Sequence, residues 1–200
     1  MSEYLIPAII SYLIGSIPFS LLTGKYLGGI DIRDYGSGNT GATNVLRTLG
    51  KKAGAVAFTG DFLKGFIVAI MVKNLIGIDV AVICSVFAIL GHCYPIFLRF
   101  RGGKGVATAG GTVFALYPLV GIILLSTVIL IVAISRIVSL ASITAAVLFP
   151  ILSYFMNTHE YFLIFSIFIG LFVIYRHKSN IRRLLSGNES KINFNKKKTD

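Results

Sequence analysis

Residues 105–135, GVATAGGTVFALYPLVGIILLSTVILIVAIS, carry no charged side chain. As one helix rising ~1.5 Å per residue the run would extend about 46 Å, against a bilayer hydrocarbon core of about 30 Å. It is too long for one span, and Pro118 divides it. The piece at 105–117 is short and rich in Gly, Ala and Thr, and its Gly110 and Gly111 suit close helix packing. The piece at 119–135 reads as an ordinary apolar span.

Uncharged runs at 4–24, 137–158 and 161–175 are of the same kind. Hydrophobic residues make up 55% of the 200-residue chain, charged residues only 14%, and the mean hydropathy is +0.82. Soluble chains carry about 25% charge. The fold class is therefore all-α, a polytopic integral membrane protein with seven transmembrane helices at 3–23, 53–76, 80–98, 105–117, 119–135, 137–156 and 160–175. Pro7, Gly15 and Pro18 are expected bends in the first. Residues 1–185 are read as a single transmembrane domain and 186–200 as a polar, basic, disordered tail. The start Met-Ser-Glu-Tyr lacks a basic region, and the apolar stretch after it is long enough to span, which argues against a cleavable signal peptide.

Charge orients the bundle. Of nineteen lysines and arginines, all but Lys64 and Lys73 fall in loops that this count of spans puts on one side, while Glu3, Asp79 and Glu160 fall on the other. By the positive-inside rule the N-terminus is outside and the C-terminus cytoplasmic. The net charge of +11 is thus distributed as a membrane protein's, not as a nucleic-acid-binding face. Cys84 and Cys93 lie nine residues apart in one span, on opposite sides of a helix, so neither a mutual disulfide nor a shared metal is expected. No Cys/His cluster has zinc spacing, and no metal or cofactor is expected.

The polar motifs concentrate on the cytoplasmic side. Residues 36–47, Gly-Ser-Gly-Asn-Thr-Gly-Ala-Thr-Asn-Val-Leu-Arg, read as a glycine-rich loop. Gly36, Gly38 and Gly41 permit positive φ and close ligand approach. Ser37, Asn39, Thr40, Thr43 and Asn44 offer donors and acceptors, and Arg47 a planar cationic fork. That equipment suits a phosphate; a plain connecting loop is the competing reading. Residues 99–105, Arg-Phe-Arg-Gly-Gly-Lys-Gly, set Lys104 between glycines, which favours anion binding over a mere positive anchor. Arg136, Ser139 and Ser142 follow a three-residue step, which serves a polar site entrance or helix packing equally well. His177 and Asn180 can share a face of a basic juxtamembrane helix, a segment that also suits lipid headgroups. Asp61 and Lys64, three apart in the second span, suit an internal ion pair better than a ligand site.

Three motifs, GSGNTGATNVLR, GHCYP…FRGGKGVAT and RHKSNIRRL…GNE, resemble in order and spacing those of the bacterial acyl-phosphate:glycerol-3-phosphate acyltransferases, the PlsY family. Arg101 departs from the lysine common there but keeps the charge. The resemblance covers nearly the whole chain. It implies transfer of a fatty acyl group from acyl phosphate to the 1-position of glycerol 3-phosphate, giving lysophosphatidic acid and inorganic phosphate. It implies catalytic roles for Ser37, Arg47, Lys104, Ser142, His177 and Asn180. Gly36, Gly38, Asn39, Gly41, Thr43, Asn44, Gly102, Gly103, Gly105 and Ser139 are the implied substrate-binding set, and Glu189 is implied to be structural. The implied partners are the two substrates and membrane lipid, with functional coupling to a soluble enzyme that makes acyl phosphate, and the location is the bacterial plasma membrane. A His-x4-Asp dyad is missing, since Phe97, Ile164 and Arg182 occupy the positions after the three histidines. Acyl phosphate is already activated, so positioning and charge neutralisation are expected to carry the rate.

Other classes fit less well. A transporter would gather its contacts near the midplane, where only Asp61 and Lys64 are polar candidates. A phosphatase would need several metal-binding aspartates or a histidine nucleophile with partners.

Overall fold

A computed structural model describes the backbone of residues 2–192 and the side chains of residues 4–192. All regular structure among the described residues is helical: α1 Ser2–Gly15, α2 Phe19–Gly28, α3 Ala42–Leu49, α4 Lys51–Leu75, α5 Ile78–Cys93, α6 Val106–Leu116, α7 Pro118–Ser135, α8 Val138–Phe155, α9 Glu160–Arg176 and α10 Lys178–Leu185, with 3-10 turns at Ile32–Asp34 and Ile96–Leu98. Five stretches are long and apolar enough to cross a membrane: Tyr4–Gly28, Lys51–Leu75, Ile78–Leu98, Pro118–Ser135 and Val138–Phe155. The α9–α10 pair, bent by 60°, makes a sixth if counted as one span, and α6 is a shorter apolar helix. The protein is multi-pass and all-helical. The chain forms two compact units, residues 2–116 and 117–192.

The first unit is built round α4, which packs against α2, α3, α5 and α6, while α1 lies along α5. Missing side chains set the closest approach. A Cβ on Gly65 would overlap the Thr108 carbonyl, and one on Gly111 would overlap that of Phe62, so α4 and α6 meet backbone to backbone. Gly110, expected to share this role, has nothing nearer than the Phe62 ring at 3.8 Å. Lys73 donates to the Leu116 carbonyl at 3.0 Å. It thereby places a cation at the C-terminal end of α6, where carbonyls lack helical partners. The first span breaks at 16–18, between α1 and α2, because Pro18 has no N–H to continue the helix.

The connection expected at 24–52 is more ordered than a loop. Helix α2 continues to Gly28, and Ala42–Leu49 is the helix α3, so the second half of the 36–47 motif is helical. Gly41 is its N-cap and Arg47 stands in its last turn.

The second unit starts at the predicted division: Pro118 occupies the first turn of α7, where a missing N–H costs nothing. Arg136 closes α7 in a left-handed conformation at φ 60°. Phe149, Phe162 and Phe165 pack ring to ring between α8 and α9, with centroids 5.5 to 5.9 Å apart. Beyond α10 the chain is pinned. The Ile192 N–H donates to the Arg136 carbonyl at 2.8 Å, and Glu189 and Ile192 are buried. These residues belong to the stretch read from sequence as a disordered tail; its remainder, 193–200, and the Glu3 side chain lie outside the described residues.

Candidate active site

In the first unit the 36–47 motif is a small turn braced from inside. Gly36 and Gly38 take φ +60° and +68°, while Gly41 is extended at −122°. Asn44 is buried at the base of α3. Its amide donates to the carbonyls of Ile32 and Tyr35, both at 2.9 Å, and its oxygen accepts the Ser37 N–H at 2.9 Å. A Cβ on Gly36 would overlap that same oxygen. Asn44, one of the implied substrate-binding residues, directs these polar atoms to the loop itself. Ser37 is exposed, and Asn39, Thr43 and Arg47 are half-buried. Beside it, Asp31 binds Arg33 at 2.9 and 2.6 Å. That hydrogen bond holds the Asp31 carboxyl at about 2.

Gly102 and Gly103 are held against the end of α5. The Gly102 N–H donates to the Cys93 carbonyl at 3.2 Å and the Gly103 N–H to the His92 carbonyl at 3.1 Å. These amides bind the end of α5. A Cβ on Gly102 would overlap the His92 carbonyl, and one on Gly103 the His92 Nε2. Glycine is needed for this approach. Gly105 takes φ +86° and α6 begins at Val106, so half-buried Lys104 stands just before a helix N-terminus. Arg99 and Phe100, both at positive φ, reverse the chain ahead of it.

Below this loop lies a buried ionic cluster. Asp61, Lys64 and His92 are 1, 4 and 7% exposed. Lys64 Nζ lies 2.9 Å and His92 Nδ1 3.3 Å from Asp61 Oδ1, and Ser20 donates to Asp61 Oδ2 at 2.7 Å. Lys64 also donates to the Ile17 carbonyl in the α1–α2 break at 2.8 Å, and Thr108 to the Asp61 carbonyl at 2.9 Å. The internal pair expected from sequence is present. Ser20, His92 and Thr108 were missed; polar residues in apolar helices were the available signal, but which of them meet depends on packing.

In the second unit Glu189 is the hub. Its Oε1 accepts from Ser139 at 2.8 Å and Asn180 at 2.6 Å, and its Oε2 from Arg183 at 2.7 Å. Burial alone would raise the Glu189 carboxyl, but the hydrogen bonds of Asn180, Arg183 and Ser139, with the Arg183 charge, hold it below the usual range. Ser142 donates back to Val138 at 2.9 Å, so the 136–142 stripe is largely turned to internal bonds. His177, buried where α9 bends into α10, has Nδ1 2.7 Å from the Val173 carbonyl. A carbonyl only accepts, so Nδ1 carries the proton, and in the neutral ring Nε2 is the acceptor. Among the described residues no group of three or more His, Cys, Asp or Glu side chains could hold a metal ion.

A family model described as glycerol-3-phosphate acyltransferase matches residues 5–187. A glycerol-3-phosphate acyltransferase of Thermoanaerobacter sp. (strain X514) is 48% identical over 92% of this chain and 93% of its own. One from Bacillus subtilis (strain 168) is 44% identical over 93% and 96%. The crystal structure of PlsY (YgiH), an integral membrane glycerol 3-phosphate acyltransferase in its glycerol 3-phosphate form, superposes with a TM-score of 0.91 at 45% identity, covering 96% of both chains. Its lysophosphatidic acid form gives 0.89 at 44% identity, covering 97% of both.

Proposed function

The chain belongs to the glycerol-3-phosphate acyltransferase family and is an acyltransferase, and from that premise we propose that its donor is acyl phosphate and its product lysophosphatidic acid. The observation that carries this reading is the 45% identity, across 96% of both chains, to a protein crystallised in a glycerol 3-phosphate form and, separately, in a lysophosphatidic acid form. The reaction is the first acylation of phospholipid synthesis. The 1-hydroxyl oxygen of glycerol 3-phosphate bonds to the acyl carbon, the bond from that carbon to the phosphate oxygen breaks, and inorganic phosphate leaves. A phosphate oxygen of the substrate takes the hydroxyl proton.

Arg47 and Lys104 neutralise phosphate, with Ser37, Asn39 and Thr43 as neutral partners. Asn44, Gly36, Gly38 and Gly41 shape that turn, and Gly102, Gly103 and Gly105 shape the Lys104 loop. Asn180 and His177 orient the acceptor, His177 through Nε2, with Ser142 as a further catalytic group and Ser139 as a further substrate contact. The N-terminus is outside, the C-terminus cytoplasmic, and the seven apolar segments each cross the bacterial plasma membrane, with the reacting groups on the cytoplasmic side.

The test is purified protein given glycerol 3-phosphate with synthetic acyl phosphate, acyl-CoA or acyl-carrier protein in turn. Lysophosphatidic acid forms from acyl phosphate. Product from acyl-CoA with acyl phosphate inert rejects the donor. Lys104→Ala abolishes most turnover while Lys73→Ala spares it; equal small effects reject the site. His177→Ala weakens acceptor binding, and a large loss of rate at unchanged acceptor affinity would make His177 a base.

A further inference from the structure

Asp61, Lys64 and His92 are the most deeply buried ionisable cluster in the first unit, and the proposed reaction gives them no part. His92 joins them to the loop that does take part. Its Nδ1 faces Asp61 at 3.3 Å, while its Nε2 lies so close to Gly103 that a Cβ there would overlap it. Its carbonyl accepts the Gly103 N–H at 3.1 Å. The imidazole is thus wedged between a carboxylate on α4 and the backbone residue directly before Lys104. The Asp61 carboxylate is immobilised in turn by Ser20 of α2 and by Lys64 one turn along α4.

We propose that Asp61 and His92 are positioning residues for Lys104. The carboxylate, an acceptor only, fixes the imidazole ring with Nδ1 toward it. The ring and its carbonyl form the seat on which Gly102 and Gly103 rest, and the seat sets where the ammonium of Lys104 meets phosphate. Two glycines are required because the seat is a ring edge and a carbonyl, leaving no room for side chains. A displacement of about 1 Å in such a group costs on the order of 100-fold in rate. This rests on the reading that Lys104 acts on substrate phosphate.

The experiment compares the full-length wild type with His92→Gln, Asp61→Asn and Thr108→Val in detergent. Thr108→Val deletes a buried hydrogen bond of the same region without touching the ring. Steady-state kcat and KM are measured for acyl phosphate and for glycerol 3-phosphate. Separately, the labelling rate of each lysine by an amine-reactive ester is read by peptide mass spectrometry, which needs no turnover. Expected for His92→Gln is a loss of about tenfold or more in kcat/KM. Its Lys104 labelling rate changes at least about threefold, with exposed Lys52 and Lys178 unchanged. Thr108→Val lowers the melting temperature and leaves Lys104 labelling at the wild-type rate. Asp61→Asn carries the same test should His92→Gln not be recovered folded. Wild-type Lys104 labelling in the folded His92 or Asp61 variant overturns the proposal, as do equal kinetic losses in His92→Gln and Thr108→Val. Wild-type protein inert toward acyl phosphate overturns the functional reading instead, and the labelling comparison still decides the positioning.

Discussion

Asp61 and Glu189 each gather a cluster of polar side chains, one in each unit, and they are supported differently. Asp61 is held by Ser20, Lys64 and His92 from three membrane-embedded helices, and the Lys64 side chain is 2% exposed. Glu189 lies beyond the last helix, and its cation, Arg183, is 40% exposed. The first is a buried pair whose surviving partner has nowhere to go; the second can release Arg183 to water. In both, an acid with no evident chemistry of its own organises groups that a reader of the sequence assigns to catalysis or overlooks.

The largest effect is expected at Asp61. Truncating one partner of a buried ion pair costs about 3–5 kcal/mol. Asp61→Ala should therefore lower the denaturant midpoint of the first unit severely or prevent recovery of folded protein. A fully folded Asp61→Ala protein of wild-type stability would erase the contrast, since it would mean that Lys64 and His92 find equivalent partners.

Glu189→Gln should cost less, about 1–3 kcal/mol, because the amide oxygen can still accept from Ser139 and Asn180 while Arg183 turns to solvent. It should also change the pH dependence. The folded-state value of Glu189 is depressed, so its contribution is complete above the unfolded glutamate value of about 4.3. That contribution is lost as pH falls further, through the folded value. Thermal melts of wild type should decline over that acid range more steeply than those of Glu189→Gln, and the two curves should run parallel above pH 5. A difference that widened as pH fell would reverse the sign and remove Glu189 as the charged hub.

Much of this arrangement was legible in the sequence, and the rest was not for identifiable reasons. The 105–135 run and Pro118 put the α6–α7 boundary where it is found, because a proline without an N–H marks a helix start by itself. The Asp61–Lys64 pair follows from three-residue spacing. Asn44 was assigned to ligand binding because an amide looks the same whether it braces a turn or meets a phosphate. Gly102 and Gly103 were read as phosphate loops for a similar reason: that their amides bond to the end of α5 depends on chain reversal at Arg99 and Phe100. The docking of Glu189 and Ile192 rests on partners some fifty residues away, which local polarity cannot reveal.

Two glycines separate packing from conformation around the Asp61 cluster. Gly103→Ala would drive a methyl into His92 Nε2 and should destabilise by about 1–3 kcal/mol, as overpacking of a tight site does. Gly110→Ala, in the same unit and within α6, meets only the Phe62 ring at 3.8 Å. It should be neutral or stabilise by about 0.4–1 kcal/mol, through the loss of unfolded-chain freedom. Melting temperatures of the two variants should therefore move in opposite directions or differ plainly in size. Equal tolerance would mean that His92 is free to swing away, and the rigid seat under Lys104 would go with it.

The smallest effect should come from a third carboxylate, Asp31, which is the exposed counterpart to the other two. Its hydrogen bond to Arg33, with a desolvation cost working against it, leaves the carboxyl at about 2, which taken alone suggests a strongly held group. Exposure argues otherwise: the Arg33 and Asp31 side chains are 43 and 24% exposed, and water and salt screen them. Exposed ion pairs contribute about 0–1 kcal/mol. Asp31→Asn also keeps a side-chain oxygen that can accept the Arg33 N–H, the bond that starts the 3-10 turn. Melting temperature at pH 7 should therefore barely change and should be insensitive to added salt. The contribution that exists should be complete above the ordinary aspartate value of about 3.9 and should fade as pH falls toward about 2. If Asp31→Asn instead destabilised as much as Glu189→Gln, burial would not be what separates these carboxylates, and the contrast between Asp61 and Glu189 would need a cause other than where their cations can go.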